Sequence, residues 1–181
     1  DGNYNKESEW FVFDGLILSV EKNAKLQNAT SPIANLGEYS LKLSGTASNW
    51  YVGGMGTLPQ IDATGYQSFD ADIYGTGPTS GKLKVELYDD DNNNKDVEVD
   101  SSWKPTFDDS FVTEINIDWT GWKRVSIPIK DFKIEGKGNK VWDPNTNNAS
   151  GGLAKIQLIA IASTEKSAVK FNIDNLELGV S

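Results

Sequence analysis

The run Phe171-Asn172-Ile173-Asp174-Asn175-Leu176-Glu177-Leu178 decides the fold class. Its apolar residues, Phe171, Ile173, Leu176 and Leu178, recur in alternation, the signature of a strand with one face in a core. The phase slips at Asp174-Asn175, which predicts a bulge there. Working outward, similar short runs of β-branched and aromatic residues end at Gly, Asn, Asp or Pro. They predict strands near Glu9–Asp14, Ala24–Ala29, Tyr39–Gly45, Trp50–Gly53, Tyr66–Tyr74, Lys82–Asp89, Asp96–Asp100, Phe111–Ile117, Trp122–Ile129, Ala154–Ala162 and Val169–Leu178. No segment keeps a helical apolar stripe for three turns; Val20–Ala29 comes nearest, and Asn23 and Asn28 weaken it. Many strands without intervening helices make the chain all-β, a two-sheet antiparallel β-sandwich or jelly roll. Residues 1–8 (DGNYNKES) read as a flexible tail and residues 9–181 as one domain. Two polar loops stand out, Asp89–Asp96 (DDDNNNKD) and Lys133–Gly152; a loop of the second length is usually functional or mobile.

Composition narrows the chemistry. The 181 residues include no His and no Cys, and the net charge is −9. That excludes a Ser-His-Asp triad, a Cys-His pair, a His-based zinc site, a disulfide frame and a thiol nucleophile. What remains is carboxylates, Lys and Arg, Tyr, or a bound hard cation. The acidic balance argues against nucleic acid, whose phosphates need a basic footprint. No apolar run approaches the roughly 18 residues that span a membrane, so no membrane insertion is expected. The abrupt start at Asp1-Gly2-Asn3 reads as a trimmed or mature piece of a longer multidomain protein.

The tryptophans divide by context. Trp10 and Trp122 sit at strand entries and are expected to pack. Trp50 and Tyr51 lie between small residues (Ser48-Asn49-Trp50-Tyr51-Val52-Gly53-Gly54) and must face opposite sides of a strand. Trp103 and Trp142 fall on polar loops, where a tryptophan is either a lid over the core or a contact residue. Exposed aromatics beside Asp, Asn and Lys suit sugars, whose apolar C–H faces are ringed by hydroxyls. One indole platform buries about 150–250 Å², or about 4–6 kcal/mol gross before ordering costs. Among the acids, Asp89-Asp90-Asp91-Asn92-Asn93-Asn94 echoes a calcium loop with Asp100 twelfth, but Asn94 replaces the turn glycine, and a solvated hairpin loop explains it as well. Asp14 ends the first strand and Asp174 lies in the last. If those strands are neighbours, calcium between the two carboxylates would relieve their repulsion.

The order of these pieces resembles a known family. Phe11–Gly15, Gly37-Glu38-Tyr39-Ser40-Leu41-Lys42-Leu43, Asn49-Trp50-Tyr51, Tyr66–Tyr74, Gly121–Ile129 and Phe171–Leu176 follow one another as in the calcium-binding jelly-roll carbohydrate-binding modules appended to glycoside hydrolases. They are most similar to the glycan-binding domains of surface lipoproteins in bacterial polysaccharide-utilisation systems. The resemblance implies a two-sheet, galactose-binding-like sandwich, and a structural calcium held by Asp14 and Asp174 with backbone carbonyls near Gly37–Tyr39. It also implies a glycan stacked on Trp50 or Tyr51, and on Trp142 with Asp143 in the loop after the Ile-Pro strand, with Lys137 and Asn139 as nearby polar candidates; Trp103, from its polar-loop context, is a further contact candidate. The partner would be a neutral polysaccharide, a β-glucan such as laminarin or mixed-linkage glucan, bound by an extracellular or cell-surface monomer. Two other readings stand beside this one. A sandwich-fold glycan-active enzyme would need a carboxylate pair about 5–9.5 Å apart, and no acid pair is singled out. An adhesion or structural module would use its loop tryptophans on a protein partner.

Overall fold

Residues 10–23, 37–147 and 149–180 are described by the computed structural model. The chain forms two antiparallel sheets. The six-stranded sheet runs β1 (Phe11–Asp14), β4 (Tyr51–Thr57), β10 (Gly152–Ile161), β6 (Gly81–Asp90), β7 (Asp109–Ile117) and β9 (Lys133–Gly136). The five-stranded sheet runs β2 (Ile17–Lys22), β3 (Tyr39–Thr46), β11 (Ala168–Gly179), β5 (Ser68–Thr76) and β8 (Thr120–Pro128). One turn of 3-10 helix, Ile129–Asp131, follows β8. The chain changes sheet between β1 and β2 at Gly15-Leu16, whose glycine N–H donates to Val52 O at 3.0 Å.

Strand alternation divides each strand between two environments. From the six-stranded sheet, Leu83, Val85, Leu87, Ile156, Leu158 and Ala160 point inward. From the other sheet, Leu43, Phe69, Ala71, Ile73, Val169 and Phe171 do so, and together they form one core. Sandwich cores of this kind are built from the inner faces of both sheets. Their neighbours in sequence are thereby turned outward.

The predicted bulge is present: the β11–β5 register shifts between Asp174 and Glu177, and Asn175 takes a left-handed φ of 45°. Other expectations need correction. Asp96–Asp100 is not a strand; Val99 makes an isolated bridge to Pro105. The cause is side-chain competition for the backbone: Asp90 accepts from the N–H groups of Asn92, Asn93 and Lys95, and Asn92 and Asn94 accept from residues two further on. Two strands were not expected, β2 and β9. In β2 both Ile17 and Val20 are exposed while Leu18 packs on the core, so its alternation is blurred. The Ala24–Ala29 strand and the tail at residues 1–8 lie outside the described residues.

Phe171 is fully buried at the centre of the five-stranded sheet. Phe171→Ala should cost about 3–5 kcal/mol, whereas Ile17→Ala on the exposed edge should stay within about 0.5 kcal/mol. Urea unfolding of both variants checks the contrast.

Candidate functional site

The outer face of the six-stranded sheet carries an aromatic and charged layer. Pairing registers build a row across it: Phe11 opposite Gly56, Gly56 opposite Gln157, Gln157 opposite Glu86, Glu86 opposite Val112, and Val112 opposite Lys133. A second row joins Lys155, Tyr88, Ser110 and Glu135. Glycine is required where the first row meets β1, because a Cβ on Gly54 or Gly56 would strike the rings of Phe13 and Phe11. Those rings therefore lie against a bare strand, 6.1 Å apart between centroids.

The polar part of this face is tightly organised. Glu86 is buried, and its two oxygens accept from Tyr88 OH at 2.7 Å and pair with Lys84 Nζ at 2.6 Å. The Lys155 ammonium sits 4.4 Å from the Tyr88 ring centroid, within cation–π range. Burial holds the Lys155 pKa below its usual value. Burial and then the Glu86 charge push the Tyr88 hydroxyl well above its usual range, so it stays a neutral donor. At the edge, Glu135 pairs with Lys133 at 2.8 Å and Lys104 at 3.7 Å.

The structure distributes the residues singled out from sequence over several places. Tyr51 lies on this outer face, 40% exposed, and its hydroxyl donates to Asp14. Trp50, 48% exposed, flanks it at the start of β4. Trp103 is 80% exposed and belongs to the β6–β7 loop. That loop leaves β6 after Asp90, eight residues beyond Lys82, which shares a level with Ile161 and Tyr51. Trp50 and the loop that carries Trp103 thus leave opposite ends of the sheet, ends that lie about 26 Å apart along β6 at about 3.3 Å per residue. The Trp103 backbone is fixed in a left-handed turn (φ 61°), donating to Asp100 O at 3.0 Å. Asp100 Oδ1 accepts from Ser102 N and Lys104 N, and these bonds lower the Asp100 pKa.

Trp142 takes the lid role. It is half-buried against the core, edge-on to Phe111 at 5.0 Å, and its indole N–H donates to Tyr66 O at 3.0 Å. Asp143 joins Asp89 and Asp91 in a cluster whose carboxylate oxygens lie within 4.8 Å of one another, an arrangement that could hold a metal ion. Burial raises the Asp89 carboxyl to about 8 and the Asp91 carboxyl to about 6. Asp100 is engaged in its own exposed turn, so the twelve-residue calcium-loop pattern does not describe this cluster.

Asp14 and Asp174 are not brought together. Asp14 is on β1 of one sheet and Asp174 on β11 of the other. The neighbouring β2 begins at Ile17, level with Ser44 and Lys170; Asp174 lies four residues past Lys170, about 13 Å along the strand. The sheet change at Gly15-Leu16 defeats the expectation that first and last strands are neighbours. Asp174 instead faces Asp72 across the β11–β5 pair and lies near Asn23 and Gly37. Asp174 Oδ2 and Asn23 Oδ1 are buried oxygens with no hydrogen-bond partner, and the Gly37 carbonyl accepts from Asn23 Nδ2 at 2.6 Å. These oxygens fit a hard cation; Asp14, satisfied by Tyr51, does not share the site.

Sequence reasoning missed Phe11, Phe13, Lys84, Glu86, Tyr88 and Lys155. A signal existed in Lys82-Leu83-Lys84-Val85-Glu86-Leu87-Tyr88, whose non-core positions hold two lysines, a glutamate and a tyrosine.

The two-sheet jelly-roll fold is one that carbohydrate-binding modules share. The sequence matches the family described as Carbohydrate binding domain 30 over residues 3–179, and the chain belongs to that family. It is a non-catalytic carbohydrate-binding module. No curated protein matches it. Among solved structures it is similar to the family 11 carbohydrate-binding module of Clostridium thermocellum in complex with a β-1,3-1,4-mixed-linked tetrasaccharide (16% identity, 100% of this chain and 94% of that one, TM-score 0.56). It is also similar to a putative sugar binding protein from Bacteroides thetaiotaomicron (12% identity, 98% and 90% covered, TM-score 0.52). A third similar structure is the CBM22-1–GH10 portion of Clostridium thermocellum xylanase 10B, complexed with xylohexaose (11% identity, 96% of this chain and 26% of that one, TM-score 0.51).

Because Trp142 seals the core, Trp142→Ala should lower stability by about 2–4 kcal/mol. Chemical denaturation measures this; an unchanged midpoint would show that the ring contributes nothing to packing.

Proposed function

We propose that the module binds a neutral polysaccharide, a β-glucan of the laminarin or mixed-linkage kind, along the outer face of the six-stranded sheet. The observation that carries this reading is the Glu86–Tyr88–Lys84–Lys155 group on a face that is not core, with Glu86 and Tyr88 buried and mutually bonded and the two lysines half-exposed beside them. Burying such a network on an outer face costs desolvation, and a sugar would use the result: fixed donors and acceptors for hydroxyls, beside the Phe11, Phe13 and Tyr51 rings. Trp50 and Trp103 would stack on sugar at the two ends of the face. The mixed-linkage tetrasaccharide bound to the similar family 11 module supports the choice of glucan. Trp142 would act on the site indirectly, by holding its loop.

In this proposal the protein is an extracellular or cell-surface monomer and part of a longer multidomain protein. The xylanase 10B structure, in which a module of this fold precedes a catalytic domain, supports that arrangement. Among the described residues no helix is long and apolar enough to cross a membrane. A structural calcium near the last strand would be held by Asp174 with Asn23 and the Gly37 carbonyl, and would tie β11 to the segments that follow β2 and precede β3.

Affinity gel electrophoresis against laminarin, barley glucan, xyloglucan, mannan, xylan and pectin tests the reading, with calorimetry on whichever glycan retards the protein. Tyr51→Ala, Trp103→Ala and Glu86→Gln should each weaken binding about 10–30-fold, with Tyr51→Ala and Trp103→Ala leaving the melting temperature nearly unchanged. Retardation by none of the glycans, together with a mass shift on a protein partner, would favour the adhesion reading instead.

A further inference from the structure

The rim below the Trp103 loop concentrates negative charge, with Lys140 paired to one of its carboxylates. Asp89, Asp90, Asp108 and Asp109 are all buried, and Asp91 and Asp143 are half-buried beside them. Most of these carboxylates have a backbone task. Asp90 holds the N–H groups of the following turn. Asp109 accepts from Gly138 N and Lys140 N and pairs with Lys140 Nζ at 2.9 Å. Asp108 Oδ1 accepts from Asp91 N.

Asp108 also keeps one unpartnered oxygen, Oδ2, but Asp89, Asp91 and Asp143 are the three whose carboxylate oxygens converge within 4.8 Å of one another. Asp89 is fully buried, and while its Oδ2 accepts from Asp143 N at 3.0 Å, its Oδ1 has no partner. Asp91 Oδ2 receives a long bond of 3.3 Å from Asn139 N, and both Asp143 oxygens accept from the single Asn139 amide. Lys140 Nζ, the ammonium paired with this rim among the described residues, is taken by Asp109 and the Gly136 carbonyl. A buried carboxylate that keeps one oxygen without a donor, and that lies within 4.8 Å of two other carboxylates, is unfavourable unless a cation lies between them.

We infer that Asp89, Asp91 and Asp143 form a divalent cation site of calcium type that ties the end of β6 to the loop carrying Trp142. The donors are oxygen only, they are flexible side chains, and water can supply the remaining positions, which suits calcium better than the stricter octahedron of magnesium. The site is separate from Asp174, which lies on the other sheet, and it stands whether or not the glycan reading holds. Its structural effect is specific. Asp143 adjoins Trp142 in sequence, and the next residue, Pro144, accepts from Ala63 N at 2.8 Å. Pulling Asp143 toward β6 therefore presses the Trp142 ring onto Phe111.

The test uses the whole chain, stripped with a chelator and then titrated with calcium chloride, read by calorimetry and thermal melting. Terbium replaces calcium in a parallel luminescence titration excited through tryptophan. Calcium at about 100 times its Kd should raise the melting temperature by about 5–10 °C. Asp91→Asn and Asp143→Asn should each weaken calcium binding at least about 10-fold, and Trp142→Phe should reduce terbium emission while leaving calcium affinity in place. Asp89→Asn should lose binding yet melt no lower than the wild type in chelator, because it removes a buried charge and keeps the shape. Asp174→Asn should retain the calcium effect of this site. The inference is overturned if calcium leaves the wild-type melting temperature unchanged, if Asp91→Asn and Asp143→Asn retain full affinity, or if Asp174→Asn alone abolishes the response.

Discussion

The burial of Leu83, Val85 and Leu87 on β6, and of Ile156, Leu158 and Ala160 on β10, fixes what the outer face of their sheet can present. A strand has no third side. Once these residues enter the layer between the sheets, Lys84, Glu86, Tyr88, Lys155 and Gln157 must stand on the other surface, at spacings set by the pleat and by the antiparallel register. The apolar layer and the polar face are one pattern read from two sides. A one-residue slip of β6 against β10 would exchange them and lose both. The glycines of β4 extend the same logic: by offering no side chain, Gly54 and Gly56 let two phenylalanine rings lie down where a pleated strand would normally hold them off.

Charge is handled differently on the two parts of the molecule that concentrate it. On the outer face, acid and base alternate, and Glu86 and Glu135 are each matched by lysines. At the Asp89–Asp91 end, carboxylates gather, Lys140 pairs with Asp109, and backbone N–H groups carry much of the neutralisation. Backbone donors are directional and fixed in number, so a cluster built on them leaves whichever oxygen points away from the chain unsatisfied. Asp89 Oδ1 and Asp108 Oδ2 are those oxygens.

Much of the architecture was legible in the sequence because its strands alternate cleanly, and β11 even announces its own bulge at Asp174-Asn175. The strands that escaped notice, Ile17–Lys22 and Lys133–Gly136, lie at sheet edges, where a residue such as Ile17 can be apolar and exposed at once. The site was less legible, for three separate physical reasons. Trp142 sits in a polar stretch, and nothing local reveals that Phe111 and the Tyr66 carbonyl wait beneath it. Asp14 and Asp174 share a reading only if the chain stays in one sheet, and it leaves at Gly15-Leu16. Asp143 meets Asp89 and Asp91 across more than fifty residues of chain, a proximity that exists only once β6 and the long loop are folded. Trp50, Tyr51 and Trp103 were visible because an aromatic beside Gly, Ser, Asn or Asp has no obvious core to enter.

Trp103 shows what its turn achieves besides exposure. Three bonds to Asp100, two from neighbouring N–H groups to its carboxylate and one from the Trp103 N–H to its carbonyl, hold an exposed indole on a closed ring of backbone. A residue in a free loop would surrender about 1–2 kcal/mol of backbone entropy on being pinned. Here that loss has already occurred during folding, so whatever meets the ring has only the side-chain torsions left to restrict. The indole is held as a fixed surface feature of the β6–β7 loop.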